Sequence, residues 1–169
     1  MTNLLDDAFQ HHAWANDRIL DACAVLTPEQ LAASTVGTFG PILDTLRHLI
    51  GSDNWYLWVI TDGRHEEFEE ETAGIAELKA GAKRSAAAWA ELLAGDIDPD
   101  EMTIRRSEDW EFHAPLGVRL AQAIHHGTDH RSQVCTALTS VGIEPPGIDL
   151  WEWAESIGRT REISLRPTA

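Results

Sequence analysis

The stretch "HHGTDHRSQ", residues 125 to 133, places three histidines within six positions of a segment whose other residues carry an apolar stripe. Imidazole at that density is either a solvated face or one wall of a metal site. At about 100° per residue, counted from Leu116, the positions of Leu120, Ala123, Ile124, Val134 and Leu138 define the core stripe. His126 at about 280° and His130 at about 320° flank that stripe, whereas His125 and Asp129, at about 180° and 220°, face solvent. Four residues apart on a helix, His126 and His130 can turn their ring nitrogens onto one cation. His125 and Asp129 read as a surface pair of little energetic weight.

Two imidazoles alone hold a metal poorly, so a third ligand has to come from another helix. His48 is the candidate, at the flank of a second apolar stripe among Thr45, Ser52 and Trp55. The position equally suits a histidine that is partly buried and hydrogen-bonded without ligating anything. Three imidazoles on a divalent ion leave a coordination position open, the arrangement of a catalytic site more than a structural one. His12 and Asn16, four apart on the inner face of a first helix, are candidates to border the pocket, because polar groups on a core stripe need partners or a wet cavity. Asp53 is the only carboxylate on the second helix's apolar stripe. It is placed either to orient a ligand from behind or to pair with an arginine or a buried hydroxyl. His65, in an acidic loop, and His113 have no neighbour at ligand spacing and read as surface residues. Cys23 and Cys135, far apart in helical patterns without a Cys-x-x-Cys spacing, read as reduced core thiols. Any reactive thiol should therefore be external.

Four long amphipathic segments must position these groups. The first spans about residues 3 to 26. The second starts at Pro41, a residue favoured in the first turn, and runs to "TDG". The third lies within residues 72 to 95, and the fourth covers Leu116 to Val141. "TPEQL" reads as a short capped turn and "IDLWEWAES" as a short closing helix behind Asp149. The run "EEFEEE" reads as solvated loop leading into the third helix. Residues 101 to 115 break the helical period and alternate weakly, which predicts an irregular hairpin-like segment between the third and fourth long helices. The fold class is all-α, a helical bundle, with residues 1–169 as one domain.

Composition narrows the function. The chain has 169 residues, 43% of them hydrophobic, and a formal net charge of -15. Nucleic-acid binding rests on cations neutralising phosphates, so a nucleic-acid partner is not expected, nor is an anionic membrane surface. The longest clean apolar run, "WYLWVI", is far below a membrane span, and no charged-then-apolar leader precedes the first helix. A soluble, cytoplasmic protein acting on a small molecule is expected.

The motif His-x-x-x-His-Arg-x-Gln at 126 to 133, the helix-two histidine in "DTLRHLIGSDNWYLW", and Trp-Ala-Asn-x-Arg-Ile-Leu at 14 to 20 together resemble the DinB-like (damage-inducible) superfamily. The resemblance covers almost the whole chain. It implies an up-down-down-up four-helix bundle, a homodimer, and a divalent metal held by His48, His126 and His130. Zinc or nickel is the first expectation, with iron or manganese as alternatives. Related proteins resemble S-transferases and isomerases that use low-molecular-weight thiols, which implies a metal-dependent thiol S-transferase. A non-catalytic metal or small-ligand binding protein of a stress response is the alternative. Where many members read Tyr-Asn-x-Trp-Ala-Asn, this chain has His11-His12-Ala13-Trp14-Ala15-Asn16, and Gln122 stands where relatives often carry a further histidine. Trp14 and Trp58, turned away from their stripes, are the expected dimer anchors.

Overall fold

The computed structural model describes residues 5–163 and Leu165. The described elements are α1 (Asp6–Cys23), α2 (Pro28–Leu31), α3 (Ile42–Ile60), α4 (Ile75–Leu93), β1 (Met102–Arg106), β2 (Glu111–Pro115), α5 (Leu116–Ser140) and α6 (Leu150–Ser156). The four long helices pack in a ring: α1 against α4 and α5, and α3 against α4 and α5. No described helix is long and apolar enough to cross a membrane.

Local chemistry sets the ends. Thr27 accepts from the Gln30 backbone while the Gln30 side chain accepts from the Thr27 backbone, closing a capping box on α2. Glu77 folds back to accept from the Gly74 N–H at the start of α4, and Asp149 accepts from Trp151 and Glu152 at the start of α6. Pro41 and Pro115 lead into α3 and α5, where their missing N–H costs no helical bond. α3 stops where Asp62 and Gly63 take positive φ values of 53° and 78°.

The hairpin-like segment is more regular than its weak alternation predicts. β1 and β2 pair antiparallel from Met102↔Pro115 to Arg106↔Glu111, and Ser107 donates to the Trp110 carbonyl across the tip. The alternation is weak because neither face is fully buried; only Ala114 is buried, and the rest are half-buried or exposed.

The core has three levels. One apolar cluster joins Ile19, Leu20, Leu46, Leu49, Ile50, Leu78, Val134 and Leu138. Another joins Phe9, Leu57, Trp89, Leu93, Leu116 and Leu120. On every long helix the residues between these two sets include a polar one: His12 and Asn16, Asp53, Ser85, and Arg131 are all buried. Buried polar groups need partners, and among the described residues no buried side-chain polar atom lacks one.

Candidate metal centre

That polar level is a single network. Asp53 accepts from Ser85 Oγ at 2.7 Å, from Trp89 Nε1 at 2.9 Å and from His12 Nε2 at 3.1 Å. Arg131 donates to His12 Nδ1 at 3.1 Å and to Asn16 Oδ1 at 2.8 Å. A guanidinium has no acceptor, so His12 Nδ1 carries the lone pair and Nε2 the proton given to Asp53. Burial opposes ionisation of Asp53, but His12 and the donated hydrogen bonds outweigh it and hold the carboxyl below its usual range. Burial brings Arg131 down to about 10, which leaves it charged at neutral pH. Gly127 makes the network possible, since a Cβ there would collide with the His12 ring.

One residue away from Gly127 and Arg131 stand His126 and His130. With His48 of α3 they bring one ring nitrogen each within 4.8 Å of one another. The ring centroids are 5.0 Å (His48–His126), 4.8 Å (His48–His130) and 4.3 Å (His126–His130) apart. The Nε2 atoms of His48 and His126 are 3.2 Å apart. A tetrahedral ion bound at about 2.0–2.1 Å separates its nitrogen ligands by about 3.4 Å, so the cluster fits such an ion with small movements. His48 and His126 are half-buried and His130 is buried. Burial lowers all three pKa values. His126 falls furthest, to about 4, with the charges of His130 and His48 adding to the effect. The neutral, lone-pair form that a metal needs is thus the resting one.

Gln133 and Phe39 hold the cluster in place. Gln133 Oε1 lies 3.0 Å from His130 Nδ1 and accepts from the Phe39 backbone N–H at 3.0 Å. The bond assigns the proton of His130 to Nδ1 and leaves Nε2 free to ligate, as metal-binding histidines require. The Phe39 ring stacks on His48, 4.3 Å between centroids and 4° from parallel, and meets His130 edge-on. Gln133 stood in the sequence motif without a role. Phe39 sits in a loop and carried no signal.

A cavity of about 530 Å³ opens beside His48, its walls including Ser52, Trp55, Trp58, Glu70 and Arg105. His48, Gly51, Trp55 and Trp58 recur at helical spacing and form one face of α3. Gly51 costs about 1 kcal/mol of helix propensity relative to alanine, and the structure gives a reason: a Cβ there would collide with the Glu70 carboxylate. Phe68, packed on the apolar core, anchors the acidic loop that carries Glu70. Part of that run is therefore cavity wall and not only solvated loop.

His12, Asn16 and Asp53 do not line this cavity; they lie in the closed network behind it. His125 and Asp129 are exposed, and no ion pair joins them among the described residues. His113 is exposed beside Glu111. His65, expected at the surface, is half-buried and bonds Asn54 Oδ1 at 2.9 Å. Both cysteines are free, Cys23 pushed up to about 12 by burial and by Cys135, whose own thiol burial also raises. Trp58 lines the cavity, and Trp14 is half-buried beneath Arg18.

Fold and site together define a helical protein with a three-histidine cluster, one member of which, His48, lines an open cavity. The DinB family profile matches residues 1–162, and the chain belongs to that family. A search of curated proteins found no significant match.

Proposed function

We propose that this protein is a divalent-metal-dependent enzyme acting on a low-molecular-weight thiol, a thiol S-transferase, with His48, His126 and His130 as the metal ligands. The observation that carries this reading is the convergence of three imidazoles, one of which, His48, lines a cavity large enough for a small molecule. Zinc or nickel suits an all-imidazole site best, and iron or manganese are the alternatives. When bound, such an ion supplies positive charge and an open coordination position that lower the pKa of a thiol or water brought to it. Gln133 fixes the tautomer of His130, Phe39 covers the outer side of His48, and the indoles of Trp55 and Trp58 offer apolar walls. The chain's own cysteines, held protonated by burial, leave the attacking thiol to the substrate.

We also take the four long helices as an up-down-down-up bundle in one domain. The ring of helix contacts and the mixed ends of each apolar cluster support it. A homodimer in the cytoplasm completes the proposal. The side chains exposed around the hairpin, Met102, Trp110 and Phe112, with Val118 of α5, offer an apolar surface for the second copy. Sedimentation at micromolar concentration should give a dimer.

A non-catalytic metal or small-ligand binding protein is the second reading. It is favoured by Asp53, whose carboxylate is fully engaged by His12, Ser85 and Trp89 and so is not free to act as a base. The deciding experiment is a thiol-consumption assay on tag-free, metal-loaded protein with a panel of electrophiles. Consumption above background that His126→Ala abolishes supports the enzyme. Stoichiometric metal with no turnover across the panel would leave the binding protein.

A further inference from the structure

The cavity beside His48 contains two opposite charges that do not meet. Arg105 of β1 is half-buried, its guanidinium carbon 5.2 Å from the Trp55 ring centroid and 4.6 Å from that of Trp110. Neighbouring arginines are engaged: Arg106 donates to Glu111, and Arg119 to Thr103 and the Phe112 carbonyl. The Arg105 side chain has neither ion pair nor hydrogen bond among the described residues, so its guanidinium donors are free.

Glu70 is the counterpart. Its half-buried carboxylate lies over Gly51, one turn along α3 from His48, and it too has no ion-pair or hydrogen-bond partner among the described residues. Burial and the neighbouring Glu71 raise its pKa, a cost that an adjacent cation would relieve. Half-buried opposite charges in one cavity would ordinarily close onto each other. Here each is held elsewhere, Arg105 over two indoles and Glu70 on a loop pinned by Phe68. Their supports, Gly51 and Trp55, are four residues apart, about one turn along the same face of α3. A small molecule carrying both charges can meet each side chain with one charge-assisted hydrogen bond.

We propose that the cavity selects a zwitterionic, amino-acid-like ligand, its ammonium on Glu70 and its carboxylate on Arg105. The sulfur end, which rests on the thiol reading above, lies toward His48. The other acidic side chains at the rim, Glu67, Glu69 and Glu71, are exposed and screened by solvent. They do not replace the anchored carboxylate.

The test uses three thioethers, which lack the reactive thiol: S-methyl-L-cysteine (zwitterion), 2-(methylthio)ethylamine (cation) and 3-(methylthio)propionate (anion). Each is titrated into the full chain as purified and again after metal removal, with tryptophan fluorescence and calorimetry as readouts. The zwitterion should bind about tenfold more tightly than either singly charged analogue, in both metal states. Arg105→Gln should bring it down to the affinity of the cation, and Glu70→Gln to that of the anion. Gly51→Ala should mimic Glu70→Gln by displacing the carboxylate, with the helical circular dichroism retained. Equal affinity for the three, no saturation by the zwitterion, or a preference that survives both Arg105→Gln and Glu70→Gln overturns the proposal. Because the analogues carry no thiol, these outcomes do not depend on the S-transferase reading, which stands or falls on the consumption assay.

Discussion

Asp53 and Arg131, opposite charges buried on facing helices, are joined through the ring of His12, which gives its Nε2 proton to one and takes a hydrogen bond on Nδ1 from the other. The arrangement crosses from α3 through α1 to α5 and lies directly behind the histidine cluster. Ser85 and Trp89 extend it to α4, so all four long helices meet in one set of hydrogen bonds.

Removing the bridge leaves both charges buried and short of a partner. His12→Ala should cost about 3–5 kcal/mol of unfolding free energy, measured by urea denaturation. Metal content should stay near wild type, because His12 is not among the three converging imidazoles. A loss below about 1 kcal/mol, the size of an ordinary surface pair, would mean the network is not a structural lock.

The histidine cluster makes a directional prediction. His126→Ala and His130→Ala should each abolish tight metal binding, whereas His125→Ala should leave it almost unchanged. One residue turns a helical side chain by about 100°, which is why His126 faces His48 and His125 is exposed. Equal metal loss in the His125 and His126 variants, read by elemental analysis of tag-free protein, would refute the assignment.

Gln133→Ala keeps all three imidazoles but removes the acceptor that fixes His130 and tethers Phe39. Metal affinity should fall about 10–100-fold, the usual cost of losing such a partner. Competition against a chelator of known affinity measures it, and an unchanged constant would show that the tautomer is set by something else.

Acid should weaken the metal-free fold in two stages. Burial, then the charges of His130 and His48, lower His126 from 6.5 to about 4. Between those values the unfolded chain binds a proton that the folded chain does not, so stability is complete above pH 6.5 and declines as the pH falls toward 4. Asp53 adds a second stage. Its depressed carboxyl contributes stability present above the unfolded value of 3.8 and lost as the pH falls through the lower folded value. Urea midpoints recorded from pH 8 to pH 3 should trace both stages, and a flat profile between pH 6.5 and 4 would contradict the first.

The long helices were legible because their apolar residues recur at the 3.6-residue period over many turns. The fourth was predicted as Leu116 to Val141 and runs from Leu116 to Ser140. The first, expected over residues 3 to 26, is described from Asp6 to Cys23; Leu4 and the residues before it lie outside the described set. The strands were harder. A two-stranded ribbon with a single buried residue has little apolar alternation, and its register follows from cross-strand hydrogen bonds that no local pattern encodes.

Within the site, the i,i+4 pair of His126 and His130 and the side of the helix each faces are legible from residue spacing, because helical geometry turns spacing into direction. Tertiary structure alone brought His48 to that pair from 78 residues away. It alone committed His12, Asn16 and Asp53 to a closed network and not to the cavity, since polarity on a core stripe does not say which partner satisfies it. The same holds for Glu70 and Phe39. Both sit on loops, whose residues follow no period, and what places them is contact with α3: a carboxylate over the missing side chain of Gly51, and a ring stacked on His48.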